Sequence, residues 1–177
     1  MAVPSIQTDR LELVSLSAHA IDAILAGRRN EAERLAGFGL PADWPDEHDA
    51  RFLGLRLGQL QANPGWQEWF VRAMVLRSAD QPMVGHIGFH GPPGVIGRAE
   101  LGYTVRPPFR RRGYASEAAQ AMMAWARSRH GVERLYLSIS PDNEASIGMA
   151  AKLGFRHVGE QVDEEDGLEH VFELVLG

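Results

Sequence analysis

The chain has 177 residues, 45% hydrophobic and 23% charged, with a formal net charge of -5, a length and make-up that suit one soluble domain over residues 1–177. It has no cysteine, which excludes disulfides, thiolate metal sites and a cysteine nucleophile, and its acidic balance weighs against a nucleic-acid partner. No apolar run approaches the roughly 20 residues that cross a bilayer, and Met1-Ala2-Val3-Pro4-Ser5 has none of the regions of a signal peptide, so no membrane partner and a cytoplasmic location are expected.

Residues 6–16 place Leu11, Leu13 and Leu16 among polar neighbours and predict a first strand. Residues 17–27 predict a short helix, with Ser17 as cap and Ile21, Ile24 and Leu25 on one face. Turn formers fill 37–45. Phe52, Leu53, Leu57 and Leu60 then give 46–61 a helical stripe. Two strands follow, at 70–77 and 83–90, joined by a hairpin loop at 78–82, and a third lies at 99–105. Pro107 and Pro108 end that strand, because proline cannot donate to a ladder.

Residues 114–129 predict the strongest helix, lined by Ala115, Ala118, Ala119, Met122 and Ala126, with Gly131 as its stop. A short strand is expected at 135–139. Asn143 caps a last helix that ends at Gly154-Phe155. Segments 156–162 and 168–176 read as a closing hairpin. The expected architecture is α/β (α+β): a mixed sheet with helices packed on it.

The densest chemical signal is Arg110-Arg111-Arg112-Gly113-Tyr114-Ala115. A helix N-terminus is partially positive, so cations there are unfavourable unless an anion joins them. Free N–H groups at a helix start can cradle phosphate oxygens, and glycine lets them come close. The alternative is a solvated basic turn. No Walker A motif and no strand-to-helix G-x-G-x-x-G occurs, so a pyrophosphate of another cofactor is indicated.

Arg110-x-x-Gly113-x-Ala115 resembles the Q/R-x-x-G-x-G/A motif of the GNAT acetyltransferase superfamily. Ala99 to Val105, Tyr114 to Ala118, Asn143-x-x-Ser146 and Lys152-Leu153-Gly154-Phe155 resemble further family segments in the same order, and Thr8 to Leu13 is similar to the opening of the RimJ/RimL-like branch. The resemblance implies a GNAT fold of one domain. Its sheet would be mostly antiparallel and splayed at the cofactor strand, with acetyl-CoA in the gap and no metal. It implies that Tyr103, Thr104 and Val105 meet the pantetheine arm and that Arg110, Arg111, Arg112, Gly113, Tyr114, Ala115 and Ser116 hold the pyrophosphate. Asn143 and Ser146 would approach the cofactor from the last helix, where Asn143 also reads as a simple cap.

The implied reaction is N-acetylation of a primary amine, and an ammonium must lose a proton before it attacks. Glu100 is the first candidate base, the alternative being an ion-pair partner on the strand. Glu165, in the acidic block Asp163-Glu164-Glu165-Asp166, is the second, the alternative being a solvated turn. Family members commonly carry a tyrosine acid where this chain has Ala150, so Ser146 becomes the candidate donor to the leaving thiolate. Trp44, Trp66 and Trp69 read as acceptor wall or as core. His86 and His90 lack a third ligand, so they suggest no metal. The acceptor is a protein N-terminus or a small amine such as an aminoglycoside, and an acyl-CoA sensor is the rival outside catalysis. Homodimerisation is common in the superfamily.

Overall fold

The computed structural model describes residues 3–96, 98–164 and 166–176. Along the chain it contains β1 (Ile6–Gln7), β2 (Leu11–Ser15), α1 (Ala18–Leu25), α2 (Arg29–Ala36), α3 (Glu47–Ala62), β3 (Arg72–Leu76) and β4 (Met83–Phe89). Then come α4 (Pro93–Ile96), β5 (Ala99–Val105), α5 (Tyr114–His130), β6 (Arg134–Ile139), α6 (Glu144–Lys152), β7 (Arg156–Asp163) and β8 (Gly167–Val175). Short 3-10 turns occupy Pro64–Glu68 and Pro107–Phe109.

The caps explain several boundaries. Ser17 accepts from the Ala20 N–H at 3.2 Å, Asp46 from Asp49 at 2.8 Å, and Asn143 from Ser146 at 3.1 Å. Each bond satisfies a donor that the first helical turn leaves unpaired. Gly131 closes α5 in the left-handed conformation.

Three elements differ from the sequence expectation. The strand predicted over 6–16 is two strands, because the chain turns at Thr8–Arg10 and β1 folds back antiparallel on β2. Helix α2 was not predicted: only its Ala32 and Ala36 are buried, so no apolar stripe marks it. Helix α4 is a four-residue turn between Pro92 and Arg98, too short to carry a period. On α3 the buried residues are Asp49, Leu53, Arg56 and Leu60; Phe52 and Leu57 are only half-buried.

The strands form one eight-stranded sheet in the order β1-β2-β3-β4-β5-β6-β8-β7. All neighbours are antiparallel except β5 and β6. That parallel pair is registered only at Ala99↔Leu135 and Glu100↔Tyr136, whereas β4 stays paired with β5 as far as Gly85↔Val105. The sheet therefore splits beyond Glu100, as the resemblance implies.

Ala118, Ala119, Met122 and Ala126 of α5 are buried where the helix meets β2, β4 and β5. Small side chains let helix and sheet approach closely. Fully buried Leu13, Ile21, Leu53 and Phe70 each contribute about 1.5–3 kcal/mol of apolar transfer. Trp69 is core as well: its ring packs edge-on to Phe89 and Trp125, with centroids 5.4 and 5.0 Å away. Trp44 is also buried, and Trp66 packs edge-on to Phe70.

Candidate active site

The split between β5 and β6 opens a cavity of about 470 Å³. Its walls come from β4, from Leu101 to Thr104 of β5, and from Leu137 to Ser140 of β6 and the following loop. Helix α3 contributes His48, Phe52 and Arg56, α6 contributes Asn143 and Ser146, and the β7–β8 hairpin contributes Asp166 and Glu169. Past Glu100 the β5 edge facing β6 has no registered strand partner. Main-chain groups of a strand alternate between its two edges, so some of those of residues 101–105 face the gap.

Glu100 stands where the split begins, and it is buried. Arg98, two residues earlier on the same face, donates through Nε to Glu100 Oε2 at 2.7 Å. Ser138 Oγ donates a short hydrogen bond to Oε1. Gln161 Nε2 donates to Ser138 Oγ at 3.0 Å and to Glu169 Oε2 at 2.9 Å, which ties the hairpin to this carboxylate. Burial raises the Glu169 carboxyl above its usual range, the Gln161 hydrogen bond opposes that, and the charges of Asp163 and Glu100 reinforce it.

His90 follows β4, and its Nδ1 lies 3.7 Å from Glu100 Oε1. Burial lowers its pKa below the ordinary histidine value; Arg56 and Arg98 push the same way, while Glu100 opposes them. The lowered pKa favours the neutral ring, the form that can accept a proton. Gly102 makes room for it, since a Cβ there would lie 2.9 Å from His90 Nε2. Arg56 bonds the His90 carbonyl at 3.3 Å and stacks between Phe52 and Phe70. Burial lowers the Arg56 pKa to about 10, with the charge of Glu100 opposing.

A second cavity histidine, His86, is tied down: its Nε2 lies 2.9 Å from Asp49 Oδ1, both side chains being buried. Burial raises the Asp49 carboxyl, but the hydrogen bond and charge of His86 bring it below the ordinary value.

Beyond Val105 the chain reaches the predicted anion site. Gly113 sits at φ +81°, and no side chain caps α5. The first N–H groups of α5, at Tyr114, Ala115 and Ser116, are therefore free to bind an anion. Arg110, Arg111 and Arg112 are exposed. Arg110 Nε donates to the Val105 carbonyl at 3.0 Å, linking this loop to the end of β5. Arg10 supports the turn from the N-terminus: it donates to the Arg112 carbonyl at 2.9 Å, pairs with Glu117 at 2.6 Å, and lies 4.6 Å from the Tyr114 ring centre. Val105 is five residue steps along the strand from Glu100, about 17 Å.

On α6, Ala150 is fully buried, so no tyrosine extends from there. Among the described residues the buried Tyr103 hydroxyl of β5 has no partner at hydrogen-bond distance. Burial raises its pKa, and the nearby Ser146 side chain pulls it partly back.

The structure thus gathers Tyr103, Thr104, Asn143 and Ser146 around one cavity, with Glu100 behind the lining residues Ser138 and His90 and the Arg110–Ser116 turn at the far end of β5. Glu165 lies outside the described residues. Of the acids of 43–49, Asp43 pairs with Arg106, Asp46 caps α3 and Asp49 bonds His86. The sequence reading missed Arg56, His90, Arg98, Ser138, Gln161 and Glu169 as site residues. Only Arg98 carried a local signal, its two-residue spacing from Glu100 at the start of β5; the others come from elements whose juxtaposition is tertiary.

The acetyltransferase (GNAT) domain family matches residues 10–156. The uncharacterized N-acetyltransferase YoaA of Bacillus subtilis (strain 168) is 30% identical over 156 residues, 88% of this chain and 85% of that protein. A putative GnaT-family acetyltransferase from Bordetella pertussis superposes with a TM-score of 0.68 at 24% identity, covering 96% of this chain and 98% of that one. RimL, the ribosomal L7/L12 alpha-N-protein acetyltransferase, in complex with coenzyme A, superposes at 0.65 with 19% identity and 98% of both chains covered.

Proposed function

Because the chain belongs to the GNAT acetyltransferase family, we propose that it moves the acetyl group of acetyl-CoA to a primary amine by direct attack within a ternary complex. One observation carries this reading. The β5–β6 split sets a histidine beside a buried carboxylate at one end of a gap and an uncapped helix N-terminus at the other. The residues fit the cosubstrate: Gly113 leaves no Cβ in the cradle, and the β5 edge offers main-chain groups along an extended arm.

Acetyl-CoA brings the activated acetyl group; the chain binds, orients and moves protons. Arg110 to Ser116 hold the pyrophosphate. Residues 103–105 hold the arm, and a β5 N–H stabilises charge developing on the thioester oxygen. Asp166 and Glu169 give the acceptor end an acidic lining, with the Glu100 carboxylate buried behind it, which suits an ammonium. His90 accepts the ammonium proton. Glu100, anchored by Arg98 and Ser138, stabilises the imidazolium that results. Ser146, with Tyr103 behind it, supplies a hydrogen bond to the departing thiolate.

Initial rates measured over a grid of both substrates test this. Intersecting double-reciprocal lines support direct attack, and parallel lines, the mark of a covalent acetyl-enzyme, would overturn it. A second reading has one observation in its favour: Ala150 stands where a tyrosine acid is common, which suits a CoA-binding sensor. That reading requires cofactor binding without turnover.

A further inference from the structure

Strict alternation along a strand puts residues three apart on opposite faces. The β7–β8 ladder departs from it, shifting register between His157 and Gly159. A bulge of this kind inserts one extra residue and re-aims the side chains around it. His157 and Glu160 consequently share a face, and His170 joins them because it stands directly opposite Glu160. One ring nitrogen from each histidine and one Glu160 oxygen all lie within 4.8 Å of one another. Among the described residues this is the sole grouping of three such donors.

We propose that His157, Glu160 and His170 form a binding site for a divalent transition metal, zinc foremost, with the remaining position open to water or an incoming ligand. Zinc bonds of about 2.0–2.1 Å put tetrahedral donors about 3.3 Å apart. His170 Nε2 and Glu160 Oε1 already stand 3.4 Å apart. The remaining edges close by about 1.5 Å at most, within the reach of a rotating imidazole. The rings are partly pre-set: His157 lies 4.7 Å from His170 and 5.3 Å from Phe172, centroid to centroid, and Phe172 is anchored in the core. Imidazole and carboxylate donors favour zinc, copper or nickel over magnesium or calcium. His157 and Glu160 are exposed and His170 is half-buried, so an ion can enter without unfolding.

The position gives the metal a consequence. The next pair in the ladder is Gln161↔Glu169, whose side chains project to the opposite face and join the Ser138–Glu100 network. A metal across Glu160 and His170 would staple the hairpin just behind that wall.

Calorimetric titration of tag-free, metal-stripped protein with zinc chloride tests the site. One zinc per chain is expected, with a Kd on the order of micromolar at pH 7.5, and affinity should weaken 10-fold or more in His157→Ala and in His170→Ala. His157 is exposed and His170 half-buried, so both variants should stay folded, with metal-free melting temperatures close to that of the parent. Cobalt(II) should give visible absorption of a low-coordinate N/O site in the parent and lose it in either variant. No zinc binding, or affinity unchanged in either histidine variant, would overturn the proposal. Neither readout involves acetyl transfer, so its outcome is independent of the proposed activity.

Discussion

Replacing Gly113 separates backbone strain from charge at the cofactor turn. Its φ of +81° is a left-handed conformation that costs a residue with a Cβ about 1–2 kcal/mol. The new Cβ would also lie 3.3 Å from Arg10 Nη2, the far end of a flexible side chain that can yield. Gly113→Ala should therefore lower stability by about 1–2 kcal/mol, which in a chain of this size is roughly 2–8 °C of melting temperature. It should weaken CoA only as far as the N–H groups of α5 are displaced. Gly113→Asp adds a negative charge within about 5 Å of a bound phosphate, worth about 1–3 kcal/mol of repulsion per phosphate charge at intermediate dielectric. Its CoA affinity should fall roughly 10- to 100-fold below that of the alanine variant, while the two melt alike. Calorimetry with CoA and thermal melts of the three proteins give every quantity needed. Equal CoA affinity in the alanine and aspartate variants would refute the placement of the pyrophosphate.

The acidic limb of the pH–rate profile should fall below the ordinary histidine value of about 6.5, because the neutral form of His90 is the active one and its pKa is lowered. His90→Gln should abolish that limb and reduce kcat/KM about 100-fold or more at pH 7. Glu100→Gln removes the charge that opposes the lowering, so it should move the limb to still lower pH and reduce kcat; an unmoved limb would detach Glu100 from His90. Asp49→Ala should cost about 1–3 kcal/mol in urea melts at pH 7 by stranding buried His86. The folded pKa of Asp49 is lowered, so its contribution is present above the ordinary carboxylate range and lost as pH falls through the folded value; the difference between parent and variant should shrink in acid. Ala118→Leu should overpack the α5–sheet contact, where Ala118 is fully buried, and cost about 1–3 kcal/mol in the same assay.

Local signals carried the late half of the chain. The small-residue face of α5, the Asn143 cap and the Gly154-Phe155 ending are contiguous patterns whose physics lies within a few residues. Polar α2 offered no stripe, and β1 was masked because the Thr8–Arg10 turn contains neither glycine nor proline. The site was legible where it lies on one strand or one turn, at Glu100 and at Arg110 to Ala115. It was illegible where three elements converge. His90 gains its meaning from the cross-strand Glu100, Arg56 from its reach off α3 to the His90 carbonyl, and Gln161 from a hairpin that folds back beside β6. His157, Glu160 and His170 were hidden in the same way, since their shared face depends on a bulge that no spacing rule anticipates.

The central claim, that this fold acetylates an amine, is tested most directly by release of CoA thiol. Purified protein would be mixed with acetyl-CoA and a panel of N-terminal peptides, polyamines, aminoglycosides and amino acids, with a thiol reagent as readout. The chain has no cysteine, so the protein contributes no background. Thiol release that depends on one class of amine and falls in His90→Gln is the predicted result. CoA binding with no release across the panel would contradict the account and favour a sensor.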